Sequence, residues 1–169
     1  MIQSFDTQLQ AVLRALSEVV APALSEAEKH VVEQLHLSLA TLKFIKARVP
    51  EARRFFRMEL KSYMALAGEA AAIADVDLAD QCCAIEDVIA TGQAELERPE
   101  GDFDDYQMIT RRLREQLADL SNSADGKPCK QRLDAMILDR SEFLILQNRL
   151  WVSPFGLEPN LEALPKEAW

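Results

Sequence analysis

An all-α fold, built as a mainly antiparallel helical bundle, is predicted by three features of this 169-residue sequence. Glycine is scarce, at five residues. Leu, Ala, Glu, Gln and Arg dominate, the residues that lose least on entering a helix. No run alternates apolar and polar residues as a half-buried strand would, whereas apolar residues recur at three and four. Four long core helices, one or two accessory helices and a packed C-terminal arm are expected.

The first helix is expected from about Ser4 to Val20, with Leu9, Val12, Leu13, Leu16, Val19 and Val20 on one side and Pro22 ending it. The second opens at Ser25, with Glu28 three residues on in the capping-box pattern, and runs to Val49. Its stripe of Val32, Leu35, Leu39, Leu42, Ile45 and Val49 should face inward. Pro50 suits a first helical position, so a third helix is expected from there to Ala74, carrying Phe56, Leu60, Tyr63, Ala67, Ala70 and Ala74. The small residues late in that stripe let a neighbouring helix come close.

A fourth helix, from Asp75 to about Glu97, carries Leu78, Cys82, Ile85, Ile89, Gly92 and Leu96, and Pro99 and Gly101 break it. The fifth, from about Asp102 to Ser121, should bury Tyr106, Ile109, Leu113, Leu117 and Leu120. Residues 121–128 (Ser-Asn-Ser-Ala-Asp-Gly-Lys-Pro) have the composition of a flexible loop. A last helix is expected from about Cys129 to Trp151. Such stripes must be buried against one another, which makes a bundle. Residues 1–151 are expected as a single helical bundle domain. Residues 152–169 hold Pro154, Pro159 and Pro165 among apolar side chains, and read as an arm laid over the bundle or over a partner.

Composition narrows function. Residues 1–10 lack the pattern of a signal peptide, and no apolar run approaches the ~20 residues of a spanning helix. Three cysteines, two of them adjacent at Cys82 and Cys83, suit a reducing compartment. A cytoplasmic, membrane-free protein is expected. The formal net charge is −9, which argues against a general nucleic-acid binder.

Glu33 and His36 form a Glu-x-x-His pair, the kind of ligand pair used by carboxylate-bridged di-iron bundles. A di-iron site needs such a pair on each of two helices, and the only histidines, His30 and His36, share one helix. What remains is a single-metal site at Glu33 and His36, completed by Glu86 or Asp87, or a plain helix surface. The opening of the second helix (Leu24, Ser25, Val31, Val32, Leu35) resembles the start of a response-regulator DNA-binding module. The turn expected near Leu37–Leu39 is missing.

Charge is unevenly spread. Lys43, Lys46, Arg48, Arg53, Arg54, Arg57 and Lys61 face only Glu51 and Glu59 over residues 43–61. Residues 75–105 carry eleven acids against Arg98. Arg53, Arg54 and Arg57 form a candidate anion site near a helix start; the alternative is that both runs are solvated faces. Nothing in the sequence selects an enzyme, since phosphate loops and nucleophile elbows are missing, and no cofactor is implied.

Protein–protein contact, including self-association as a homodimer, is the leading expectation. Its candidate interface is the back of the second helix, where His30, Leu37 and Phe44 align at seven-residue spacing. Either the arm, through Trp151, Phe155 and Trp169, or a second subunit can cover that side. Ligand binding stands second and DNA-binding regulation third.

Overall fold

The computed structural model describes residues 4–24 and 28–169. Helix accounts for 83% of them, with no strand among the described residues, and the fold is an all-α helical bundle. Helix α1 spans Phe5–Ala15 and continues through a π turn, Leu16–Val20, and a last α turn, Ala21–Ala23. Helix α2 is Lys29–Arg48, α3 Ala52–Ile73, α4 Ala79–Glu97, α5 Phe103–Ser123 and α6 Lys130–Val152. Short 3-10 turns at Val49–Glu51, Val76–Leu78, Ser153–Phe155 and Leu161–Ala163 complete the list.

These bounds follow from local chemistry. Ser4 caps α1 by accepting the Thr7 N–H at 3.2 Å. Pro22 stands one residue before the helix ends at Ala23, close to the expected boundary. It lacks the N–H that would bond the Glu18 carbonyl and crowds that turn. The backbone opens before it instead, and the Ala21 N–H bonds back to the Leu16 carbonyl. The capping box at Ser25 lies outside the described residues. Asp102 caps α5 through the Asp104 N–H at 3.3 Å.

The chain gathers into two compact units, Met1–Glu51 with Asn148–Pro165, and Ala52–Gln147 with Lys166–Trp169. The first unit pairs α1 with α2. Lys46 reaches Asp6 at 3.5 Å and also hydrogen-bonds Gln10. Phe44 stacks on Phe155 with centroids 4.7 Å apart and meets Trp151 edge-on at 6.2 Å. Arg149 grips Glu158 with two hydrogen bonds of 2.7 and 3.1 Å. Gly156, at φ 77°, turns the chain after Phe155 in a backbone region that favours glycine.

The inward stripe expected of α2 is mostly not buried. Leu39 alone of that stripe is buried, while Ile45 is 36% exposed and Val49 62%. Arg48 is buried in its place. Its Nε donates to the Trp151 carbonyl at 2.8 Å and its Nη2 to the Leu150 carbonyl at 2.6 Å, and the guanidinium lies 5.2 Å over the Trp151 ring. Those carbonyls belong to the last turn of α6, where helix carbonyls lack an intrahelical N–H partner and the dipole is negative, and the Leu150 carbonyl also accepts the Ser153 hydroxyl at 2.7 Å.

The second unit has the dense core. Helices α3, α4 and α5 pack pairwise, and Leu60, Ala67, Ala70, Ile85, Tyr106, Leu113 and Leu120 are fully buried, joined by Leu133 of α6. Every position expected on the inner face of α5 is buried. Phe55, outside the stripe expected of α3, is buried as well. The segment read as a flexible loop is pinned. Helix α5 runs on to Ser123, Ala124 and Cys129 are buried, and the Cys129 N–H bonds Asp75 at 3.2 Å. Lys127 pairs with Asp77, and Lys130 donates to the Ser121 carbonyl at 2.8 Å.

Candidate functional site

Three helix faces of the second unit meet at a groove of about 530 Å³. Helix α5 contributes Arg114, Leu117, Ala118, Ser121 and Asn122, which recur at three and four and so share a face. Helix α6 contributes Asp134, Ile137, Leu138 and Ser141 in the same spacing, and α3 contributes Tyr63 and Leu66. Leu66 and Leu117 are buried and form an apolar floor.

Polar groups stand at the rim. The Arg114 guanidinium lies 5.9 Å from the Tyr63 ring centroid. Asp134 accepts from the Ser121 hydroxyl at 3.1 Å and faces Lys130 at 3.3 Å. Burial pushes the Tyr63 phenol above its ordinary pKa, with Arg114 opposing the shift and Glu59 adding to it. An apolar floor with a few polar groups at its edge is suited to holding another apolar surface or ligand. Leu138, at the lip, is 74% exposed.

The residues singled out from sequence sit elsewhere. Glu33 is exposed on α2 and faces Lys29 at 3.5 Å, and His36 is exposed one turn on. Glu86 and Asp87 are exposed on α4. Among the described residues no group of three or more His, Cys, Asp or Glu is arranged to hold a metal ion. His30 is exposed and lies 3.2 Å from Glu28. Leu37 is 59% exposed, whereas Phe44 takes Phe155 and Trp151 of its own chain as cover.

The arginine cluster is partly committed to backbone. Arg53 donates to the Pro99 carbonyl at 2.7 Å, and Arg57 to the Leu96 carbonyl at 2.7 Å and the Tyr106 hydroxyl at 3.4 Å. Arg57 thus serves the last turn of α4, as Arg48 serves that of α6, while Arg53 holds the turn that follows α4. Arg54, Arg57 and Lys61 line a smaller groove. The sequence reading placed Tyr63 and Leu117 in the core and passed over Arg114, Asp134 and Leu138. The one signal for Leu138 was that α6 carries apolar residues on every side, more than one buried face can use.

No protein family, curated protein or solved structure that was compared with the chain matches it. Among the described residues no helix is long and apolar enough to cross a membrane.

Proposed function

We propose that this is a non-catalytic protein that acts through protein–protein contact, self-association included, and that the α3–α5–α6 groove with Leu138 is its contact surface. The observation that carries the reading is a large apolar side chain, 74% exposed, beside an apolar-floored groove. Ile145, seven residues further along α6, is 58% exposed and continues the ridge. A ridge beside a groove is self-complementary: a two-fold axis would seat Leu138 of each copy in the groove of the other. The three free thiols fit the reducing cytoplasm in which we place the protein.

Sedimentation of the wild type, Leu138→Glu and Leu37→Glu tests this. The reading expects a wild-type dimer, a monomeric Leu138→Glu and a Leu37→Glu that behaves as wild type. Because Leu138 is exposed, the charge should leave the melting temperature nearly unchanged. A wild-type monomer at high concentration would refute self-association. A dimer indifferent to Leu138→Glu would remove the groove from the interface.

A further inference from the structure

The α3–α5–α6 groove has two ends of different charge. Ser121 of α5 donates to Asp134 of α6 at 3.1 Å, which marks one end. The short connection between Ser123 and Lys130 sends α6 back along α5. Arg114 lies seven residues before Ser121, and Ser141 seven after Asp134, so these two come level at the other end, roughly two helical turns away. At the first end the carboxylate is answered, because Asp134 holds the Ser121 hydroxyl and faces Lys130 at 3.3 Å. At the second end a cation is unanswered. Arg114 is exposed, its guanidinium lies 5.9 Å from the Tyr63 ring centroid, and it forms no ion pair among the described residues. Glu142, next to Ser141 on α6, is exposed and likewise forms no ion pair among the described residues.

The two unspent charges do not meet within one copy. At ~100° per residue, Asp134, Ile137 and Ser141 lie to one side of Leu138 on α6 and Glu142 to the other, so Glu142 turns away from its own groove. A second copy reverses that relation. With its α6 parallel to this one and its Leu138 on the groove floor, its groove side faces α6 and its other side faces the α5 wall, where Arg114 stands. We propose that Arg114 pairs with Glu142 of the second copy, two such pairs per dimer, and that this pairing sets the two α6 helices parallel. The inference rests on the groove being the self-contact surface. Antiparallel helices would instead bring Glu142 over Asp134, like charge on like, and would offer Arg114 only an Asp134 already held by Lys130 and Ser121.

Sedimentation equilibrium of the wild type, Arg114→Glu and Glu142→Arg, each alone and the two variants mixed, tests the pairing. Both positions are exposed, so neither change should move the melting temperature appreciably. Alone, each variant faces like charges twice in its homodimer and should dimerise at least about ten-fold more weakly than the wild type. Mixed in equal amounts, the two variants form a heterodimer in which both pairs are again of opposite sign. Its affinity should return to within about three-fold of the wild type. Single variants that dimerise as the wild type does, while Leu138→Glu does not, would overturn the pairing and leave the groove as the contact surface. Weakened variants that mixing does not rescue would overturn it as well. Rescue of Arg114→Glu by Asp134→Arg in place of Glu142→Arg would overturn it in favour of antiparallel helices. A wild-type monomer would end the pairing and the groove reading together.

Discussion

The two units are stabilised in different ways. In the second, seven side chains from α3, α4 and α5 lose all contact with water, so hydrophobic burial and close packing carry the fold. In the first, the described buried residues are Leu13, Leu39, Arg48 and Trp151, each still 8–9% exposed. There the work falls to a few directional contacts, chiefly the Arg48 guanidinium on two helix-end carbonyls and the Phe44 stack. A dense core tolerates the loss of one surface bond. A thinner core leaves the first unit more dependent on each such contact.

Truncation should separate the two. Leu113→Ala, in the centre of the second unit, should cost about 2–5 kcal/mol and lower the main denaturant midpoint, as large-to-small core changes do. Leu39→Ala, at the thinner core of the first unit, should cost visibly less. Equal losses at the two positions would break the comparison.

Arg48→Ala comes next. It removes the Arg48 hydrogen bond to the Trp151 carbonyl, one of the two donors to the Leu150 carbonyl, and the cover of the Trp151 ring, and should cost roughly 1–3 kcal/mol. Its effect should be local: amide exchange should rise in α2 and residues 148–155 while α5 stays protected. Arg48→Lys should recover only part of the loss, because an ammonium lacks the fork that spans two carbonyls. Faster exchange throughout α5 would show that Arg48 supports more than its own unit.

The smallest effect is the Arg149–Glu158 pair. The hydrogen bonds from Arg149 hold the Glu158 carboxyl below its ordinary value of 4.5. A depressed carboxylate pKa means that the pair's contribution is complete above pH 4.5 and fades as pH falls through the lowered value. An NMR titration should find the Glu158 midpoint below 4.5 in the wild type and back toward it in Arg149→Ala. A midpoint that ignores the substitution would show that the two hydrogen bonds do not set it.

Six helices were legible because Pro, Gly and capping residues punctuate the chain near their ends. The α5 stripe was legible residue by residue, since that helix is amphipathic with a single buried face. The α2 stripe was not, because charge normally marks an outward position and Arg48 is buried by its carbonyl partners, which no local pattern announces. The same applies to the basic run as a whole. Its composition suggested an anion site, whereas Arg48, Arg53 and Arg57 reach carbonyls at or just past helix ends that come from far along the chain. Of the groove, the residues at helical spacing could be read, but which face of α6, whose apolar residues lie on every side, is left open could not. The burial of Gln147 depends on a tail 19 residues away and was equally hidden.

Native-state hydrogen exchange across the full chain tests the difference between the units most directly. Amides of α5 from Tyr106 to Leu120 should exchange only through global unfolding, with free energies that fall in step with added denaturant. Amides of α1 and α2 should exchange through smaller local openings that depend weakly on denaturant. A single shared opening energy for α1, α2 and α5 would contradict the account, because it would make the dense core and the cation-held unit one cooperative structure.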